Sequence, residues 1–139
     1  MSFSRIFILS LFLFAYSVYA QAQLAASVDE METVYKECIH TKSDSVACYR
    51  KFHQQMDSIV GVIFEKVKAN ASADEKAALI QSQVSWAKKK GEYFKKLDET
   101  FVYNLQEGTW KKDMIRITYQ QKAEFTLKRI KALLKQLKE

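Results

Sequence analysis

The sequence predicts an all-α fold: an antiparallel bundle of three long helices plus a short, disulfide-tethered N-terminal helix. Three observations predict it. The 139 residues include no proline and only three glycines, so little interrupts a helix. Apolar residues recur at three- and four-residue steps, and strand-like alternation is hard to find. The periodic stretches are separated by short clusters such as "TKSDS", "NASADE" and "QEGT", whose side chains and glycine compete with helical hydrogen bonding. Long amphipathic helices joined by short breaks bury their stripes by folding back on one another. A single extended coiled coil is the alternative, but its seam is narrower than these wide, aromatic-rich stripes.

Residues 1–20 have the form of a secretory signal peptide. Arg5 supplies the positive start, "IFILSLFLFAYSV" the apolar middle, and Val18 and Ala20 the small-residue exit. Cleavage is expected after Ala20, with Ala22 as the rival site. The apolar run falls short of the ~20 residues that span a bilayer, and no basic stop-transfer segment follows. No cysteine lies near the exit, so a lipoprotein is not expected. The reading is a periplasmic or secreted chain with one domain, residues 21–139. Its net charge is about +5, because the leader removes only Arg5 from the chain's +6. After export, the acidic partners within reach are lipid head groups, cell-wall polymers and other proteins, not nucleic acid.

The first helix is expected from Val28 to about His40, with Ser27 as its cap and Asp29 and Glu30 near the positive end of its dipole. Cys38 and Cys48 are the only cysteines. An even count in an oxidising compartment predicts their pairing, which contributes roughly 2–3 kcal/mol in the chain-entropy account. A zinc site with His40 and His53 is the competing reading, but the spacings fit no standard finger. The second helix is expected from about Val46 to Ala69, with Tyr49, Phe52, Met56, Ile59, Ile63 and Val67 as its stripe and Val60 and Phe64 widening it. Gly61 lies inside it, where glycine costs up to about 1 kcal/mol against alanine. That suggests close approach of a neighbouring backbone.

Ser72 and Glu75 fit a capping box that opens the third helix, about Ala73 to Asn104. Leu79, Ile80, Gln83, Trp86, Ala87, Phe94, Leu97 and Phe101 follow one face of it. Thr109 is the expected cap of the fourth helix, about Trp110 to Leu137. Its apolar positions include Met114, Ile117, Phe125, Ile130, Leu133, Leu134 and Leu137.

No catalytic constellation emerges, and the chain is read as a non-enzyme needing no cofactor or metal. Nucleophilic catalysis requires an activated Ser or Cys beside a positioned base, and the cysteines are expected to be paired. There is no glycine-rich phosphate loop. The basic residues fall in two clusters. Lys88, Lys89, Lys90, Lys95 and Lys96 lie in "WAKKKGEYFKK", and Lys128, Arg129, Lys131, Lys135 and Lys138 in "KRIKALLKQLK". Stacking of nucleic-acid bases on the interleaved aromatics is disfavoured, because Trp86, Phe94, Leu97 and Phe101 share the inward stripe while Lys88, Lys89, Lys95 and Lys96 fall elsewhere. These four, with Lys128, Arg129, Lys131 and Lys135, are the candidate partner-binding basic surface.

The cysteine pair, the helix carrying Asp57, Val60, Gly61, Phe64 and Val67, and the helix carrying Gln83, Trp86 and Lys90 together resemble the LprI-like lysozyme-inhibitor family of exported bacterial proteins. That family shows a cysteine pair, then Asp-x-x-Leu-Asn-x-x-Tyr-x-x-Leu, then Gln-x-x-Trp-x-x-x-Arg. Here Gly61 stands for the Asn, Phe64 for the Tyr and Lys90 for the Arg. A further family cysteine is replaced by Phe94, and its partner near the C-terminus is missing too. The resemblance covers about Cys38 to Leu134. It implies a helical exported domain whose partner is a protein, with a lysozyme-type hydrolase as the candidate. The motif residues themselves are expected to be structural: Trp86 anchoring the interior, Gln83 beside it with a buried amide that needs a partner, and the lysines beyond them exposed. Two rival functions remain. One is a basic protein that adsorbs to anionic lipid, lipopolysaccharide or glycan. The other is an immunity-type partner of a secreted toxin.

Overall fold

A computed structural model describes residues 3–41, 45–106 and 111–137, with side chains for 22–41, 45–104 and 111–137. Among them the chain forms four helices and no strand: α1 (Phe3–Thr41), α2 (Val46–Asn70), α3 (Ala73–Gln106) and α4 (Lys111–Gln136). The fold is all-α. Helices α2, α3 and α4 begin and end within two residues of their expected bounds, because each stripe is long and each break is chemically marked.

Helix α1 differs from expectation. It is not short: it runs unbroken for 39 residues. Ser27 caps nothing, since its hydroxyl donates to the Gln23 carbonyl one turn back, at 2.9 Å, inside the helix. No proline or glycine separates "QAQLAAS" from Val28, so nothing stops helical hydrogen bonding there. Leu24, Val28, Met31 and Tyr35 of α1 join the core, and all four lie after both expected cleavage sites. Among the described residues, no helix is long and apolar enough to cross a membrane.

The capping box between α2 and α3 forms in both directions. The Ser72 amide donates to Glu75 at 2.7 Å, and the Glu75 amide donates back to the Ser72 hydroxyl at 3.4 Å. These bonds hold the Glu75 carboxyl below its usual range. Residues 42–44, most of "TKSDS", and Trp110 with the expected cap Thr109 lie outside the described residues.

Sequence neighbours run antiparallel. Cys38 near the end of α1 joins Cys48 at the start of α2, with Cα atoms 5.9 Å apart, a normal separation for a bridge. Gln83 meets Arg129 while Asp98 meets Lys122, so α3 and α4 also run in opposite directions. The largest contact, however, is between α2 and α4. These two run parallel, with Arg50 against Tyr119 and Asp57 against Thr126. The molecule is therefore a central α2–α4 pair flanked by α1 and α3. Met56 and Ile63 of α2 and Thr126, Ile130 and Leu133 of α4 are fully enclosed along the central seam. Complete burial of such an apolar side chain stabilises by about 1.5–3 kcal/mol. Ala123 and Thr126 are the small side chains on this face of α4, and both are buried.

Gly61 is a second correction. A side-chain carbon at this position would meet nothing within 4 Å, and the residue is exposed. It marks no close approach of another backbone. Ile80 and Ile117, both counted in apolar stripes, are 43% and 38% exposed, and Ala87 is exposed too. The contact to α3 is narrower than the stripe, so its edges stay wet.

Candidate functional site

The motif residues come together where α2, α3 and α4 meet. Asp57 projects from the side of α2 facing α3, one turn beyond His53. Its carboxylate lies 2.7 Å from the Lys90 ammonium. The same Asp57 oxygen is 3.3 Å from the Thr126 hydroxyl, whose proton it shares with the Lys122 carbonyl at 3.2 Å. One carboxylate thus ties all three helices.

Lys90 was expected on the exposed side and is not there. Its side chain is 22% exposed, and its ammonium stands 5.5 Å from the Trp86 ring centre and 5.1 Å from that of Phe94. Trp86 and Lys90 are one turn apart, so this geometry follows from helical spacing. Cation–π attraction of this kind contributes about 0.5–2 kcal/mol, most where water is excluded. Lys122 of α4 repeats the arrangement: it pairs with Asp98 at 2.6 Å and lies 5.3 Å from the Phe94 ring. Phe94 is thus flanked by two ammonium groups, each neutralised by a carboxylate. Phe125 of α4 brings a further ring, 4.9 Å from Tyr93, 6.2 Å from Phe94 and 6.3 Å from Trp86.

Trp86 packs against the core but is only half-buried. Its indole nitrogen is enclosed without a hydrogen-bond partner. Gln83 has the partner its amide requires: Arg129 donates from Nε to the amide oxygen at 3.0 Å, and from Nη1 to the Ser82 hydroxyl at 3.0 Å. Arg129 therefore leaves the candidate basic surface. It turns inward towards α3, and burial pulls its guanidinium below its ordinary value. Lys131 is also engaged, pairing with Glu32 of α1 at 2.7 Å, and Lys95 sits 3.8 Å from Glu99. Lys88, Lys89, Lys96, Lys128 and Lys135 are exposed and make no ion pair among the described residues. Phe64 is half-buried at the edge of the core with Lys68 over its ring at 5.3 Å.

His53 closes the site. Its ring lies 5.7 Å from both Phe94 and Tyr119, and its Nδ1 is enclosed without a partner. Burial pushes its pKa below the ordinary 6.5; Lys122 and Lys90 add to that while Asp57 and Asp98 oppose it. Cys38 and Cys48 are joined, so their sulfurs are not available as metal ligands beside His40 and His53. Among the described residues, no group of three His, Cys, Asp or Glu is placed to hold a metal ion.

Sequence reasoning missed His53, Asp98, Lys122, Phe125 and Thr126 as members of this cluster. Thr126 had a usable signal: Ala123, Thr126, Ile130 and Leu133 continue one helical face with small residues where two helices approach. The Asp98–Lys122 pair had none, because a contact between helices leaves no mark on spacing within either.

The chain matches no family model, no curated protein and no solved structure. Fold and site define its class from within: an all-helical domain with one disulfide, whose third helix is held by a polar and aromatic clasp. Inside that clasp every carboxylate and ammonium has an opposite charge beside it.

Proposed function

We propose that this protein is an exported, non-enzymatic binding protein of the bacterial envelope, in the manner of the LprI-like lysozyme inhibitors. The observation that carries the reading is the mutual satisfaction of the motif residues. Asp57 and Lys90 neutralise one another, Gln83 accepts from Arg129, and Trp86 lies against the core. A catalytic acid, base or nucleophile needs a substrate-facing position and a free proton site, and these residues spend both on each other. The clasp shapes the domain; recognition then falls to its outer surface. A lysozyme-type hydrolase is the partner candidate supplied by the resemblance at Asp57, Gln83, Trp86 and Lys90. Incubating the purified protein with several lysozymes while following cell-wall lysis tests it. Slowed lysis by at least one enzyme is expected, and unchanged lysis with all of them removes inhibition.

An anionic envelope surface is the second partner class, favoured by the charge of α4. That helix holds eight Lys or Arg against two Asp or Glu, an excess equal to the net +6 of the whole chain. Lys128 and Lys135 on its exposed side have no ion-pair partner among the described residues. Adsorption of this kind fades as salt shortens the screening length below about 8 Å. A packed protein interface persists. Retention on anionic vesicles across a salt series separates the two.

A further inference from the structure

We propose that the face built by α1 and α2 is a contact surface between two copies of this chain, related by a dyad parallel to the helices. Two open depressions lie along this face and meet at Val62. One is lined by Leu24, Ser27 and Ala69, the other by Met31, Lys51 and Ile59. Together they form a groove that follows α2 from Lys51 to Ala69, about 27 Å at the rise of an α-helix. Val62 stands 57% exposed within it, and Val34 of α1 is 44% exposed. Ser27, Glu30, Val34 and Glu37 follow one another at three- and four-residue steps, so Val34 shares the groove side of α1 with Ser27.

The charges on the two edges are opposite. Glu30 and Glu37 flank Val34 on the α1 edge; the α2 edge carries Lys51 and Lys66, together with Glu65, whose carboxylate is neutralised by Lys68 at 2.6 Å. Glu30, Glu37 and Lys51 are exposed, and none of these three makes an ion pair among the described residues. The face is therefore acidic along one side, basic along the other and apolar between, which makes it complementary to itself. A dyad parallel to the helices lays α1 of one copy over α2 of the other. The Cys38–Cys48 bridge fixes the heights: Glu37 lies one residue before Cys38 and Lys51 three after Cys48. The two side chains are thus level to within about one helical turn, and the dyad brings Glu37 of one copy towards Lys51 of the other. A dyad perpendicular to the helices would set α1 on α1, carboxylate against carboxylate, which opposes association.

The footprint decides the strength. Two helices side by side are about 20 Å wide, which gives roughly 500 Å² on each copy. A stable standard interface covers about 800 Å² per partner. The expected dimer therefore forms at micromolar concentration and dissociates on dilution. The groove lies on the α1 side of α2, away from the Asp57 clasp, so the contact does not depend on the proposed function.

Sedimentation of the purified protein over a dilution series tests it. A reversible monomer–dimer equilibrium is expected. Val62→Glu should weaken it at least ~10-fold without lowering the melting temperature, because Val62 is exposed. Glu37→Lys and Lys51→Glu should each weaken it, and the two together should restore it. A chain that stays monomeric to about 1 mM, above the range of specific dimers of this size, overturns the proposal. So does a dimer indifferent to Val62→Glu, or a double swap no better than the single ones. A monomeric chain that captures a foreign amphipathic helix in this groove would overturn it too, by assigning the face to another occupant.

Discussion

Helix α2 meets α4 and α3 by different means. Towards α4 it presents Met56 and Ile63, which meet Ile130 and Leu133 in a seam without solvent exposure. Towards α3 it presents Asp57 and His53, which meet Lys90 and Phe94. Of the described α3 residues, Leu79 alone is buried. The first contact is non-directional and scales with the area removed from water. The second depends on a few aimed groups that remain partly solvated. The α2–α4 pair should therefore carry most of the stability, while the attachment of α3 should respond to single charges and to pH.

The largest test of this contrast lies in the seam. Ile63→Ala removes a fully enclosed side chain and should cost about 2–5 kcal/mol in denaturant unfolding, a large part of a domain's typical 5–15. Trp86→Ala removes a larger ring from a half-wet site and should cost less, about 2–3 kcal/mol, below the 3–5 of a fully buried aromatic. If the tryptophan change costs more than the isoleucine change, α3 is part of the central core and the contrast fails. Reducing the Cys38–Cys48 bridge should cost a comparable 2–3 kcal/mol, roughly, read as a drop in melting temperature.

Smaller effects sharpen the picture. Lys90→Gln leaves Asp57 without its cation, but both side chains are partly exposed, 22% and 36%. Solvent screening holds the cost to about 1 kcal/mol. Lys88→Gln and Lys89→Gln, on the free side of the same turn, should stay within about 0.5 kcal/mol. The difference between adjacent lysines is the cleanest measure of the clasp.

The last prediction is the pH response of His53. Burial lowers its folded pKa below 6.5, so the unfolded chain takes up the proton first as pH falls. Stability should decline as pH falls from about 6.5 towards the lower folded pKa, and lose nothing further to this group below it. A denaturation series over that window, with His53→Gln as the flat control, measures it. Equal slopes for both proteins would remove His53 as the cause.

The three later helices were legible because each signal is local. The bounds of α2, α3 and α4 follow from periodic stripes and from breakers such as the Ser72–Glu75 box. The disulfide followed from two cysteines and an expected oxidising compartment. The candidate site was legible in membership but not in arrangement. Asp57, Gln83, Trp86 and Lys90 were named, yet Lys90 was expected to face solvent and Arg129 to serve the basic surface. Both turn inward because their partners, Asp57 and Gln83, stand on other helices, and in a run of three lysines, of which Lys90 is the last, nothing marks which one meets a carboxylate on another helix. Thr126 and His53 joined the site for the same reason, through neighbours far along the chain.

What the sequence alone determined is which segments become helices and which face of each is apolar, since both depend on residues within one or two turns. The sequence could not show that α2 makes its largest contact with α4, that α1 continues without a break through Ser27, or that Gly61 faces open space. Those outcomes depend on how several stripes of similar hydrophobicity share one interior. Burial is non-directional, so many pairings satisfy each stripe on its own. Tertiary packing selects among them through shape and through aimed contacts such as Asp57 with Lys90 and Thr126.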